Sequence, residues 1–165
     1  YMSFDAMDTV STVFYNSKDY RRAETLLDRQ LTEYANKAEL QEKILQTKSK
    51  LAKTLFAIKD WQRALGFYGE LVKRLPNDDL LKTEIIQCLK ETKQFGRAME
   101  WYTIWTKESP QNNQLYWQGR LDIVKVVLEQ GKYDDAKGFI DILKSEDTNL
   151  GGGKLMSQFL ALQER

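Results

Sequence analysis

The sequence predicts an all-α solenoid built from four helical hairpins and closed by a C-terminal capping helix. The first observation behind this prediction is a motif in which an aromatic residue precedes an alanine by three positions. It occurs four times, as Tyr20 and Ala23, Trp61 and Ala64, Phe95 and Ala98, and Tyr133 and Ala136, and both residues of each pair are expected in the core of the repeat. Successive alanines lie 41, 34 and 38 residues apart. Such self-similarity is typical of repeat arrays, in which each unit buries its apolar face against its neighbours.

The second observation is that apolar residues recur at fixed distances from each alanine. The position four residues after the alanine holds Leu27, Tyr68, Tyr102 or Ile140. The position nine residues before it is also apolar in every unit. These distances are helical spacings, so they predict an apolar stripe on each of two helices per unit. A short polar turn that contains a lysine separates the two helices, as an antiparallel hairpin requires.

The third observation is the composition. The 165 residues include only two prolines and nine glycines, so long segments lack helix breakers. The charges are balanced, with 25 Lys and Arg against 24 Asp and Glu, and no long basic run occurs. This balance disfavours nucleic acid as a partner, because nucleic-acid-binding proteins usually carry a basic face. No apolar run is long enough for a membrane-spanning helix.

The individual helices follow from these patterns. They are expected over residues 4–16, 19–35, 38–57, 60–74, 78–92, 95–108, 112–130 and 133–145. Asp19 and Asp60 are expected to cap the second helices of their hairpins, and Asn77 or Asp78 to cap the helix after Pro76. The alanine spacings of 41 and 38 residues exceed the shortest spacing, 34, by seven and four residues, which are close to two helical turns and one. Such insertions lengthen helices without rotating their apolar faces.

The end of the chain departs from the repeat. A glycine-rich linker is expected at 148–153, followed by a capping helix at 154–165 in which Leu155, Phe159 and Leu162 share one face. Terminal repeats need such a cover for their open apolar side. We expect one repeat domain over 1–165, within a longer protein because the chain does not begin with Met. Its hairpins are expected at 4–37, 38–77, 78–111 and 112–147.

Two central units agree in further positions. The matching residues are Leu51, Ala52, Leu55, Trp61, Ala64, Tyr68 and Pro76 in the second unit, and Ala98, Tyr102 and Pro110 in the third. This pattern resembles the tetratricopeptide repeat, a helix-turn-helix unit of 34 residues. The resemblance covers about residues 4–147 and implies a right-handed solenoid that binds proteins or peptides. It says little about which partner is bound.

No residue pattern indicates catalysis, a cofactor or a metal. The chain has no histidine, which removes the commonest general base and the commonest transition-metal ligand. Its single cysteine, Cys88, is expected to be a small core residue. The run from Gly151 to Lys154 lacks the phosphate-loop pattern, because Thr148 stands where the first glycine is needed and Leu155 follows the lysine.

The resemblance also implies a binding site. In tetratricopeptide proteins the first helices of successive units line a concave groove that receives a peptide. The groove candidates carried over to this chain are Lys50, Lys53, Phe56, Gln87, Lys90, Asp122 and Lys125. Lys53, Gln87 and Lys125 occupy the same position of successive units, so the two lysines would favour an acidic or carboxylate-terminated peptide. A solvated helix face that binds nothing is the alternative.

Three functions are consistent with such a fold. The first is a non-enzymatic scaffold that binds a peptide or a partner protein in the groove. The second is a structural spacer or self-association segment, which would dimerise through an exposed terminal repeat. The third is an RNA-binding helical repeat, which would need a continuous basic stripe that the sequence does not show. The dense aromatic cluster is interpreted as packing between units, with a peptide pocket as the alternative; it comprises Trp101, Tyr102, Trp105, Tyr116 and Trp117.

Overall fold

The computed structural model describes residues 2–107 and 114–164. Within these ranges it contains α-helices, one short 3-10 helix at Ala38–Leu40 and turns, and no strand. The α-helices are α1 (Phe4–Asn16), α2 (Tyr20–Tyr34), α3 (Gln41–Ala57), α4 (Trp61–Arg74), α5 (Asp79–Glu91), α6 (Phe95–Lys107), α7 (Gln114–Glu129), α8 (Tyr133–Glu146) and α9 (Gly153–Gln163). The predicted all-α fold class is therefore confirmed. Pro110 lies outside the described residues.

The chain consists of two compact units. The first is Tyr1–Thr92, in which α1 packs on α2, α2 on α3, α3 on α4 and α4 on α5. The second is Lys93–Arg165, in which α6 packs on α7, α7 on α8, and α9 on both α7 and α8. The division falls between α5 and α6, inside the hairpin expected at 78–111. The repeat boundaries stay a prediction.

Aspartate side chains begin three of the helices of the first unit. Asp19 and Asp60 accept the backbone N–H three residues later at 3.3 and 3.4 Å, and Asp78 does so at 3.0 Å. Each of these bonds satisfies a backbone donor that the helix itself leaves without a partner. The predicted caps at Asp19 and Asp60 are confirmed, and Asp78, not Asn77, caps the helix after Pro76.

The alanines of the repeated motif are buried. Ala23, Ala64 and Ala98 are fully buried, and Ala136 is almost so. The aromatic residues that precede them are less buried than predicted: Tyr20 and Trp61 are half-buried, and Tyr133 is 59% exposed. The Phe95 side chain lies outside the described set.

The residue five positions before Tyr133 differs in kind from its equivalents in the first two units. Tyr20 makes an edge contact with Tyr15 across its turn, with ring centroids 5.4 Å apart, and Trp61 contacts Phe56 in the same way at 5.1 Å. The equivalent of these partners in the fourth unit is Leu128. A leucine therefore stands where the first two units have the ring that contacts this aromatic residue, and the prediction of Tyr133 as a core residue was wrong.

The turns between the helices share one backbone geometry. The residue five positions before each alanine has a positive φ: 63° at Lys18, 64° at Lys59, 58° at Lys93 and 73° at Gly131. The N–H after Lys59 bonds the carbonyl of Leu55 at 2.9 Å, which closes the end of α3. Such left-handed residues commonly terminate helices, although glycine is usually found there. Three lysines therefore occupy a conformation that favours glycine.

The segment at 148–153 is an ordered turn and not only a spacer. The Asp147 side chain accepts the N–H groups of Asn149 and Gly151 at 2.9 and 3.1 Å, and the Leu150 side chain is fully buried. In α9, Leu155 and Phe159 are buried, whereas Leu162 is half-buried. The expected apolar face of the C-terminal helix thus packs on the second unit.

Candidate groove on the first helices

Five of the predicted groove residues lie in the first unit. Lys50, Lys53 and Phe56 are on α3, and Gln87 and Lys90 are on α5. Lys53 is exposed, and the other four are half-buried. Each lies on the first helix of its hairpin, as the resemblance implied.

A cavity of about 90 Å³ opens between α1 and α3. Most of its accessible lining is apolar, although polar residues surround it. The lining residues are Ser11, Thr12, Tyr15, Leu27, Lys50, Lys53 and Thr54. Two of the predicted groove residues, Lys50 and Lys53, therefore border this apolar cavity.

The two lysines at this cavity differ in their partners. The Lys50 ammonium donates to Asp8 Oδ1 at 2.7 Å and to Thr12 Oγ1 at 3.1 Å, so its charge is partly balanced by α1. Lys53 makes no ion pair within 4.0 Å among the described residues, although it interacts electrostatically with Glu84 on α5. Lys53 is thus the cation at the cavity that remains more available to an external carboxylate.

A buried tyrosine and a carboxylate occupy the next interface of the first unit. The Tyr68 side chain of α4 is almost fully buried, and burial together with the carboxylate of Glu84 on α5 raises its pKa. The pKa of Glu84 is also raised by burial, which outweighs the opposing effects of the Tyr68 hydroxyl and Lys53. The Tyr68 hydroxyl has no hydrogen bond of 3.5 Å or less with the described residues. Glu84, Tyr68 and Lys53 thus form one electrostatic cluster.

Phe56 and Gln87 have local partners. The Phe56 ring makes edge contacts with Trp61 and Tyr68, with centroids 5.1 and 6.3 Å away, so it supports the interface between α3 and α4. The Gln87 amide donates to Glu91 on the same helix at 2.7 Å. Phe56 therefore acts mainly in packing, and only part of it is available to a ligand.

The second unit repeats the tyrosine–carboxylate arrangement. Tyr102 of α6 is buried, and burial followed by the carboxylate of Asp122 on α7 raises its pKa. Asp122 Oδ1 also accepts from Lys125 and from Gln118, each at 3.3 Å. The two remaining groove candidates, Asp122 and Lys125, thus contact each other. That Lys53 and Lys125 share one wall stays a prediction.

Several residues of the site in the first unit were not among the predicted groove residues, and three of them show why. Asp8 holds Lys50, Leu27 lines the cavity from α2, and Tyr68, predicted only as core, touches the charge cluster. Repeat alignment could have found Leu27, since it stands where the next two units have tyrosine. The pairing of Asp8 with Lys50 depends on how two distant helices are juxtaposed, which periodicity does not specify.

The described residues provide little for catalysis or metal binding. Residues 2–107 and 114–164 contain no cluster of three or more metal-ligating acids or cysteines. Cys88 is buried, and burial raises the pKa of its thiol to about 12. A thiol of that kind is a poor nucleophile at neutral pH. No helix in the described part of the chain is long and apolar enough to cross a bilayer.

Successive helices repeat one arrangement, with buried alanines on the second helix of each hairpin and polar residues on the first. The chain is therefore a helical-repeat protein. Residues 11–37 match the family model of the tetratricopeptide repeat. The match lies within the hairpin expected at 4–37, and the resemblance stated from the sequence is confirmed. No curated protein matches the chain.

Solved structures share the fold at low sequence identity. MamA MSR-1 superposes with a TM-score of 0.66 and 12% identity, over 99% of this chain and 79% of that protein. A tetratricopeptide repeat protein from Parabacteroides merdae gives 0.66 and 14%, over 98% of this chain and 59% of that one. PilF from Pseudomonas aeruginosa gives 0.53 and 15%, over 96% and 66%. At such identities the similarity establishes the fold alone.

Proposed function

We propose that this chain is a non-enzymatic scaffold that binds an extended peptide of a partner protein along the first helices of its hairpins. The observation that carries the proposal is the apolar cavity between α1 and α3, bordered by the exposed Lys53. Binding sites usually combine an apolar hollow with a few polar groups that orient the ligand. Because the helices are preformed, little ordering cost would fall on the scaffold.

The charges indicate an acidic peptide. Lys50 and Lys125 already contact Asp8 and Asp122, whereas Lys53 makes no ion pair within 4.0 Å among the described residues. An incoming carboxylate would therefore pair most readily with Lys53. Affinity should fall with added salt, since exposed charges are screened.

Peptide selection followed by charge reversal tests this function. Random peptides displayed on phage are selected on the wild-type protein, and the affinities of those enriched are measured by fluorescence anisotropy. We expect acidic sequences whose binding is lost in the double variant Lys53→Glu, Lys125→Glu, with each single variant showing which unit contributes. The melting temperature of the Lys53→Glu variant should change little, because Lys53 is exposed and exposed charges contribute little to folding. Lys125→Glu places a second carboxylate beside Asp122, so its own effect on stability is measured in the single variant.

The matched control reverses two exposed lysines on other surfaces, as Lys37→Glu with Lys137→Glu. This control has the same change in net charge, so a general electrostatic effect would weaken both double variants equally. Failure to enrich any peptide would instead favour the spacer or self-association segment. Sedimentation equilibrium over a range of concentrations would then show whether the chain dimerises.

A further inference from the structure

We propose that the cavity beside Leu27 is a specificity pocket for one apolar side chain of the bound peptide, and that an acidic residue adjoining this side chain pairs with Lys53. This inference rests on the proposed peptide-binding function and specifies its ligand. It comes from comparing equivalent positions of two interfaces within the first unit.

Two spaces between helices of the first unit are lined by equivalent positions. We call the space between α1 and α3 the first interface and the space between α3 and α5 the second interface. Relative to the alanine of each hairpin, Tyr15 corresponds to Phe56, and Thr54 corresponds to Cys88. Tyr15 and Thr54 line the cavity, together with Leu27. The second interface is therefore an internal example of what these positions can enclose.

Tyr68 occupies the second interface at the position equivalent to Leu27. Its ring contacts Phe56 at 6.3 Å between centroids, and its hydroxyl is close enough to Cys88 and Glu84 to interact with them electrostatically. A ring supplied by the chain itself thus fills the space between α3 and α5. In the first interface the shorter Leu27 is 1% exposed and leaves about 90 Å³ unfilled.

An external apolar side chain would restore the missing contacts. Atoms that line a void lack dispersion partners on one side, and an apolar cavity can accept an apolar guest. The guest best matched to this space is the kind of group that fills the equivalent one, an aromatic ring or a branched aliphatic side chain. A water molecule would be a poor occupant, because the accessible lining is mostly apolar.

The charged residues at the cavity determine which kind of peptide residue should lie next to the bound apolar side chain. Glu84 interacts electrostatically with the Tyr68 hydroxyl in the second interface, and Lys50 holds the equivalent position in the first. Lys53 adds a second cation at the cavity. A carboxylate next to the guest side chain is therefore attracted, whereas an ammonium group is repelled.

The carboxylate is expected on a side chain within the peptide. The first helix of the next hairpin, α5, carries the half-buried Gln87 and Lys90. A peptide that continues from the cavity towards α5 can contact these residues, whereas one that ends at the cavity leaves them unused. The favoured occupant is thus an apolar residue followed by Glu or Asp within an extended segment.

The probe is a blocked peptide, acetyl-Ser-Gly-Phe-Glu-Gly-Ser-amide, titrated into the full chain while methyl NMR signals are recorded. We expect saturable shifts of the Leu27 and Thr54 methyl groups, which line the cavity. Replacing the peptide's Phe by Ala, or its Glu by Lys, should each weaken binding by about tenfold or more. Acetyl-Ser-Gly-Phe with a free carboxylate should bind more weakly than the probe. Tighter binding of that shorter peptide would contradict the proposal that the carboxylate belongs to a side chain within the peptide.

Filling the cavity from inside tests the pocket separately from the groove. Leu27→Phe supplies the missing ring, and Leu27→Met is a milder filling that adapts to irregular gaps. In either folded variant the affinity for the probe peptide should fall by about tenfold or more. Neither variant should be less stable than the wild type. If peptides selected on the groove still depend on Lys53 but bind both Leu27 variants normally, the pocket is wrong and the groove stands. If the methyl signals of the wild type do not shift with the probe, the pocket is likewise wrong.

Discussion

Gly151 lies directly against the indole of Trp117, so closely that a Cβ atom added to the glycine would be 2.5 Å from Trp117 Cγ. The φ of Gly151 is +78°, a conformation that side chains with a Cβ rarely adopt. Trp117 itself is buried and makes an edge contact with Phe159 of α9, with ring centroids 6.5 Å apart. The turn before α9 and the packing of α9 therefore meet at one tryptophan.

The first prediction is that Gly151→Ala destabilises the second unit through both of these constraints. The backbone strain alone should cost roughly 1–2 kcal/mol, and displacement of the Trp117 ring adds to it. Gly131→Ala provides the control, since Gly131 has a φ of +73° but nothing within 4 Å of an added Cβ. Urea denaturation followed by circular dichroism should show the larger loss for Gly151→Ala. Equal losses would mean that the contact with Trp117 contributes nothing.

The second prediction concerns the lysines in the left-handed turns. Lys59 has a φ of 64° and nothing in its side chain is needed for the turn hydrogen bonds, which are made by the backbone. Lys59→Gly should therefore stabilise the protein by about 0.5–1 kcal/mol, because relief of strain exceeds the added chain entropy. Lys137→Gly, at an exposed position inside α8, should instead destabilise the protein by about 1 kcal/mol. Thermal unfolding of the two variants should show shifts of opposite sign.

The third prediction concerns the alanine contacts. Ala64 is fully buried, so Ala64→Leu should cost roughly 1–3 kcal/mol by forcing neighbouring helices apart. Ala57→Leu, at the exposed end of α3, places the same side chain in solvent and should have little effect. Denaturation midpoints that agree for both variants would show that Ala64 is not at a helix contact.

The helices could be predicted from the sequence because repetition made the pattern redundant. Four occurrences of the same apolar spacing fixed the faces of the helices, and capping aspartates such as Asp19 fixed where several begin. The backbone conformation of the turns was harder to predict from the sequence. Lysine is not a typical left-handed residue, and only the alignment of Lys59 with Gly131 hinted at a positive φ.

Other features depended on contacts between distant positions. The glycines at 151–153 predict a linker, whereas the order of this turn comes from the contacts of Gly151 with Asp147 and Trp117. The cavity beside Leu27 is created by one missing ring in an otherwise regular interface. A pattern shared by all repeats predicts their common fold well. It does not reveal how one repeat differs from the others, and such differences are expected to determine which peptide is bound.

The last prediction is a pH dependence that Glu84 creates. Burial raises the pKa of its carboxyl group despite the nearby Tyr68 hydroxyl and Lys53, so the fold favours the protonated form. This contribution to the free energy of unfolding is fully present below the unfolded-state pKa of about 4.3. It is lost as the pH rises through the higher pKa of the folded state.

Glu84→Gln should therefore raise the melting temperature at pH 7, where the wild type carries the unfavourable buried charge. The gain should shrink as the pH falls through the folded-state pKa and disappear at acid pH, because Glu84 is then neutral in both states. Glu100→Gln, at an exposed site on α6, removes the same charge and serves as the control for the change in net charge. Thermal unfolding of the three proteins across this pH range gives the comparison. A loss of stability at pH 7 specific to Glu84→Gln would mean that the attraction between Glu84 and Lys53 outweighs the cost of burying the carboxylate.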